Sequence, residues 1–249
     1  MRFKDKVALI TGGGSGIGEA ACFAFAKEGA GVGILDINIT NAEKVGNRLR
    51  EIGCTALVVQ ANVANYEEVR TAVQKIYSKF KHIDILVNGA GYGHYVLLSE
   101  MSEAEWDDSI AVNLKGPFNC TRAVINGMIS QKSGRIVNIS SVAGIVGAHR
   151  HSQYSAAKAG VIGMSKGLAK EVAPFGINVN VLAPALIDTD FYGPMKKEAP
   201  EFYEKLINSI PLGRMGTAQE MAATILFLCS EDAAFFTGQV LSPSGGFMI

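Results

Sequence analysis

The sequence predicts an α/β fold: a mostly parallel sheet with helices on both faces, in a single domain covering residues 1–249. Three observations predict it. Short apolar runs alternate with segments of helical periodicity along the chain. No Pro-rich, Ser-rich or highly charged linker interrupts that series. The composition is globular, with 48% hydrophobic and 18% charged residues, enough apolar material for one large core.

The elements follow in order. "VALIT" (7–11) is a strand that closes on a glycine cluster, and "GEAACFAFAKEG" (18–29) is a helix stopped by Gly29. "GVGILD" (31–36) is a second strand, and "NAEKVGNRLREIG" (41–53) a second helix ended by Gly53. "TALVVQ" (55–60), "YEEVRTAVQKIYSKF" (66–80) and "IDILVNGAG" (83–91) repeat the unit. A long helical stretch from about 102 to 130 precedes the strand "GRIVNIS" (134–140). The helix "YSAAKAGVIGMSKGLAKEVAPFG" (154–176) and the strand "INVNVLAP" (177–184) come next. Residues 185–212 break the rhythm and carry three of the seven prolines. Their place after the sixth strand predicts a lid over the strand ends, where open α/β sheets bind ligands.

Charge and cysteine usage exclude several functions. Lys+Arg and Asp+Glu both total 23, so the net charge is zero, with no block of like charges to attract nucleic acid or anionic lipid. No apolar run approaches a membrane span, and Val7 to Ile10 is too short for a signal-peptide core. Cys22, Cys54, Cys120 and Cys229 are widely spaced, which indicates neither a metal site nor a disulfide framework. The expected location is the cytoplasm.

"TGGGSGIG" (11–18) lies between the first strand and first helix, and Asp36 ends the next strand, eighteen residues after Gly18. Glycines there allow a tight turn and close backbone approach, and the helix start offers free N–H groups to a pyrophosphate. An Asp at position 36 can accept the adenosine-ribose hydroxyls and repel a 2′-phosphate. Ser15 and Ile37 stand where a cation would meet that phosphate, so NAD is the expected cofactor. In "SQYSAAK" (152–158), Tyr154 and Lys158 are at i and i+4 on one helix face. A cation beside the phenol is expected to lower its pKa and make it a working acid and base.

These segments together resemble a known family. "TGGGSGIG", "NGAG" (88–91), "VNLKG" (112–116), "NISS" (138–141) and "YSAAK" (154–158) stand in the order and spacing of the short-chain dehydrogenases/reductases. The resemblance continues through "PLGRMG" (211–216) and "TGQVLSPSGG" (237–246). It implies a doubly wound, seven-stranded Rossmann sheet, NAD(P)-dependent alcohol–carbonyl chemistry and a homotetramer. It places catalytic roles on Asn113, Ser141, Tyr154 and Lys158. Cofactor contacts fall on Gly12, Ser15, Gly16, Ile17, Gly18, Asp36, Ile37, Asn62, Val63, Asn88 and Ala90. Tyr154, Lys158, Pro184, Ile187 and Thr189 complete that set.

Four positions depart from the family pattern. Gly89 replaces an Asn, Asn62 an Asp, Ala185 a Gly and Ser244 an Asp; none removes a catalytic group. By family position the substrate pocket takes His94, Tyr95, His149 and Tyr192 beside Ser141 and Tyr154, with His151 and Phe191 close by. The expected activity is NAD-dependent interconversion of a secondary alcohol and a ketone, with a small-molecule substrate. The alternative is a 3-oxoacyl-carrier-protein or acyl-CoA reductase, since "PLGRMGTAQEMA" (211–222) is similar to that branch. Asp36 speaks against it, as does "EVAPFG" (171–176), where an acidic carrier protein would meet bases. A non-catalytic dinucleotide sensor is a third reading, and the intact Tyr154 and Lys158 speak against it.

Overall fold

The computed structural model describes residues 1–248, apart from the side chain of Pro194. Seven strands form one sheet: β1 (Val7–Thr11), β2 (Gly31–Asp36), β3 (Ala56–Gln60), β4 (Ile85–Asn88), β5 (Gly134–Ile139), β6 (Ile177–Leu182) and β9 (Val240–Leu241). Their order is β3-β2-β1-β4-β5-β6-β9, and every pair is parallel. A second, two-stranded sheet pairs β7 (Ile187–Asp188) with β8 (Gly216–Thr217). This is the doubly wound Rossmann arrangement that the sequence predicts.

Alternate residues of each strand feed two cores, as a strand's twofold period requires. Ala8 and Ile10 of β1 pack with α1 (Gly16–Lys27), α2 (Ile39–Glu51) and α10 (Ala218–Cys229) on one face. Leu9 of β1 packs with α3 (Tyr66–Phe80), α5 (Gly116–Gln131) and α7 (Ser152–Val172) on the other. The central strand is thus buried on both sides, which is why "VALIT" reads as a continuous apolar run rather than an alternating one.

The long middle helix is interrupted. α4 (Glu103–Ile110) starts with a capping box made by Ser102 and Glu105. It passes into a π turn over Ala111–Lys115 before α5 begins. Pro117 explains the turn, because it has no N–H for the Asn113 carbonyl four residues back and its ring crowds that carbonyl. Residues 185–212 are not a bare loop. They hold β7, α8 (Gly193–Glu198) and α9 (Pro200–Asn208) over a third small core that includes Val142, Leu186 and Ile210. Phe247 and Met248 near the C-terminus pack against the same core. Among the described residues no helix is long and apolar enough to cross a membrane.

Candidate active site

The strand order reverses between β1 and β4, and the glycine loop fills that point. Gly12 has φ +67°, and a Cβ there would lie 2.8 Å from the Ala90 backbone. A Cβ on Gly18 would overlap the Gly12 carbonyl oxygen. Only bare backbone fits at both positions. Thr11 Oγ1 accepts from Gly89 N at 3.1 Å and Ala90 N at 3.2 Å, tying the loop to the end of β4. Ser15, the N-cap of α1, places no side-chain cap on the helix, so the first-turn N–H groups remain available as donors. Asp36 Oδ2 accepts from Gly14 N and Oδ1 from Asn38 N, each at 2.8 Å. Each carboxylate oxygen still has a free lone pair for a ribose hydroxyl. Bare backbone, open donors and an acceptor carboxylate in one crevice fit a dinucleotide.

One cavity of about 1270 Å³ runs from this loop across the strand ends. It is lined by Gly12, Ser15, Gly16, Ile17, Gly18, Asp36, Ile37, Asn62, Val63 and Ala90 at one end. Ser141, Tyr154, Lys158, Pro184, Ile187, Thr189 and Tyr192 line the other. Asn88 does not line it. Its side chain donates to Thr121 Oγ1 at 3.1 Å and Asn138 Oδ1 at 2.7 Å, and Asn138 donates on to Ser165 Oγ at 2.8 Å. Asn88 thus belongs to a buried polar network that joins β4, β5, α5 and α7 behind the cavity.

α7 presents Tyr154 (8% exposed) and Lys158 (4% exposed) on one face. Ser140 Oγ donates to the Lys158 carbonyl at 2.8 Å. A Cβ on Gly144 would lie 2.6 Å from the same carbonyl carbon, so the segment after β5 sits directly on the α7 backbone. Ser141 Oγ accepts from Ala143 N at 3.1 Å, which leaves its proton free to point elsewhere. Lys158 Nζ donates to Ile139 O at 2.9 Å and lies 5.5 Å from the Tyr154 ring centroid.

The electrostatics correct one sequence expectation. Burial raises the Tyr154 hydroxyl well above the ordinary phenol value; nearby Tyr192 adds to this, and a hydrogen bond with Ser141 opposes it. Burial also pulls the Lys158 ammonium down to about 8. The protein's own groups therefore keep Tyr154 protonated. Lys158 is itself desolvated, and its ammonium is engaged by the Ile139 carbonyl.

Asn113 is fully buried in the π turn. Its Oδ1 accepts from Tyr92 N at 3.2 Å, and its Nδ2 donates to Tyr92 O at 3.1 Å. A Cβ on Gly91 would come within 2.7 Å of Asn113 Oδ1 and 3.3 Å of Lys158 Nζ, so Gly91 lets these two groups share one corner. Asn113 thereby holds the loop after β4. The Tyr92 hydroxyl fastens the same loop to Asp108 of α4, and Gln153 Nε2 donates to His94 O at 2.6 Å.

His94, Tyr95 and His149 stand one layer outside the cavity wall. His94 faces Glu105 at 3.5 Å. Tyr95 and His149 pack on Phe202 of α9, with centroids 6.5 and 6.0 Å apart. His151 is buried between Tyr95 and Tyr154. Sequence reasoning missed Gly93, Gln153 and Phe202. The available signal was the Phe-Tyr dipeptide, which occurs at 191–192 and again at 202–203.

A family model described as short chain dehydrogenase matches residues 6–200. A 3-oxoacyl-(acyl-carrier-protein) reductase from Thermotoga maritima is 44% identical over the whole of both chains. A (2S)-((R)-hydroxy(phenyl)methyl)succinyl-CoA dehydrogenase subunit from Thauera aromatica is 43% identical, covering 99% of this chain and 98% of its own. Among solved structures, levodione reductase superposes with a TM-score of 0.94 at 35% identity, covering 98% of each chain.

Proposed function

The chain belongs to the short-chain dehydrogenase family, and from that premise we propose that it interconverts a 3-oxoacyl thioester and its 3-hydroxyacyl counterpart with NAD(H). The carrying observation is one cavity that joins Ser141, Tyr154 and Lys158 to the glycine loop and Asp36. The thioester is supported by two relatives whose names attach the reacting acyl group to acyl-carrier protein or to CoA.

Each residue has a role in this reading. Tyr154 carries the exchangeable proton and gives it to the carbonyl oxygen in reduction. Its raised pKa keeps that proton in place at neutral pH. Ser141 hydrogen-bonds the same oxygen and fixes its position. Lys158 supplies positive charge beside the phenol and a donor to the nicotinamide ribose. Asn113 sets the loop that forms one wall of the pocket. The 185–212 segment acts as a lid that excludes water. NAD(H), when bound, supplies or accepts the hydride.

NAD is favoured over NADP by Asp36, whose carboxylate would repel a 2′-phosphate. Arg48, a cation that does line the cavity, is held by Glu19 at 2.8 Å and lies over Phe23. Steady-state kcat/KM on NADH is expected to exceed that on NADPH by at least about tenfold, on the order of one charge contact. Asp36→Ala should abolish the difference. Equal or better efficiency of the wild type on NADPH overturns the NAD assignment.

A second reading, a free secondary alcohol and ketone, is favoured by the likeness to levodione reductase. Turnover of a 3-oxoacyl thioester at an efficiency below that of simple ketones would select it. The proposed assembly is a homotetramer. It is supported by apolar side chains left exposed on one chain, Phe118 and Phe235 among them. Light scattering reads the mass directly.

A further inference from the structure

Phe191 and Tyr192 end the single 3-10 turn Asp190–Tyr192 that follows β7. Phe191 packs on Tyr154, with ring centroids 5.6 Å apart. Tyr192 packs on Phe191 at 5.1 Å and on Tyr203 at 6.3 Å, and its ring joins the small core that holds Val142, Ala185 and Leu186. Tyr154 and Tyr192 therefore share one neighbouring ring, and both line the cavity.

The Tyr192 hydroxyl is poorly matched where it stands. It donates to Ala185 O at 3.5 Å, whereas an ordinary O–H···O bond spans about 2.5–3.0 Å. Among the described residues it has no other hydrogen-bond partner. Burial raises its pKa above the ordinary phenol value, and Tyr203 adds to this, so the proton stays in place at neutral pH. Phenols withdrawn from water normally find a close partner. This one borders a cavity, so a ligand can bring the acceptor that the protein lacks.

The place of the hydroxyl says which acceptor fits. Ala185 follows Pro184, whose carbonyl accepts from Val142 N at 3.0 Å. Val142 in turn follows Ser141. One backbone hydrogen bond thus joins the turn that carries Ser141 to the residue that the Tyr192 hydroxyl meets. Ser141 and Tyr154 serve the carbonyl that reacts. A neutral donor at the same corner suits a second, neutral oxygen close to the first. A 3-oxoacyl thioester has such an oxygen on its thioester carbon, one methylene from the reacting carbon. A simple ketone has none.

We propose that the Tyr192 hydroxyl donates a hydrogen bond to the thioester carbonyl oxygen of the substrate, and so sets a preference for 3-oxoacyl thioesters over simple ketones. The inference rests on the thioester reading above and assigns a specificity-determining residue to it.

The test uses two ketones that differ by one oxygen, with NADH as reductant. One is the 3-oxobutanoyl thioester of N-acetylcysteamine. The other is the matching thioether, in which a methylene replaces the thioester carbonyl. For each, kcat/KM in wild type is divided by kcat/KM in Tyr192→Phe, so that intrinsic ketone reactivity cancels. If the thioether binds without turnover, its competitive inhibition constant is compared instead. Tyr192→Phe keeps the ring and its packing. The thioester is expected to lose about five- to tenfold, the size of one hydrogen bond, and the thioether less than about twofold, with NADH affinity unchanged. Equal losses on the two compounds assign the hydroxyl to packing and overturn the proposal. So does an unchanged thioester efficiency, and so does a loss confined to NADH affinity, which would give the hydroxyl to the cofactor. Each of these leaves the thioester reading standing. A wild type that does not reduce the thioester overturns that reading and this inference with it.

Discussion

The two ends of the cavity are built from different materials. At the glycine loop the contacts are backbone against backbone: Gly12 on Ala90, Gly18 on the Gly12 carbonyl, Thr11 on two main-chain N–H groups. At the 185–212 segment they are ring against ring, from Tyr154 through Phe191 to Tyr203. Backbone contacts permit one residue type, so they leave a fixed spelling in the sequence. Ring contacts permit many residues of similar bulk and leave almost none. The first end therefore states which cofactor class fits, while the second leaves the substrate unspelled.

Tyr154 lies between the two ends, and replacing it gives the largest expected effect. Tyr154→Phe keeps the ring and its contacts with Phe191 and His151 and deletes only the proton. Turnover should fall by at least ~100-fold, about 2.7 kcal/mol of barrier, with NADH affinity little changed. A variant that keeps more than about a tenth of wild-type turnover would place Tyr154 with the packing of the 185–212 segment rather than with the chemistry.

Two glycine substitutions then set the ends against each other. Gly18→Ala puts a methyl against a carbonyl oxygen that cannot move without the whole turn. A cost of roughly 1–3 kcal/mol, typical of overpacking, should appear as weaker NADH binding and a lower Tm. Gly93→Ala meets only the tip of the Phe191 ring, which can swing aside. It should leave NADH binding unchanged and alter substrate KM by less than about tenfold, below one kcal-scale packing defect. Equal losses of NADH affinity in the two variants would erase the distinction.

The smallest effect expected is a pH dependence. Lys158, held at about 8 by burial, loses its charge as pH rises through that value. Reductive kcat/KM should decline above about pH 8 in step with it, and Lys158→Arg, which stays charged, should shift the decline upward. Stability runs the other way. The unfolded chain keeps this proton up to about 10.4, so it binds more protons than the folded chain between those values. The Lys158 contribution therefore becomes more favourable with rising pH across that window. A parallel loss of activity and Tm above pH 8 would assign the decline to unfolding.

The sheet was legible because its central strands, β1 and β4, are buried on both faces and the first two helices stop at Gly29 and Gly53. β9 escaped notice because only Val240 and Leu241 pair. The π turn was hidden inside a helical period, although Pro117 marked its place. Among site residues, those whose role depends on backbone or on helix spacing were readable: the loop glycines, Asp36, Tyr154 and Lys158. The direction of the Tyr154 pKa was not, because it depends on desolvation in a packed site. Nor was the orientation of Asn88, whose amide turns into the sheet toward Asn138.

The seat of the glycine loop also fixes when the site can form. Gly12 rests on Ala90, and Thr11 Oγ1 receives N–H groups 78 and 79 residues further along the chain. β1 and β4 pair over nearly the same separation, Ala8 with Ile85. A chain leaving the ribosome therefore presents its phosphate-binding sequence long before β4 and completes the seat only after β4 has emerged. Closing so long a loop carries an entropy cost that local helices do not. Cofactor capture by the nascent chain should begin abruptly once residue 90 clears the exit tunnel, so that NAD(H) can stabilise an assembled β1–β4 pair but cannot template the turn beforehand.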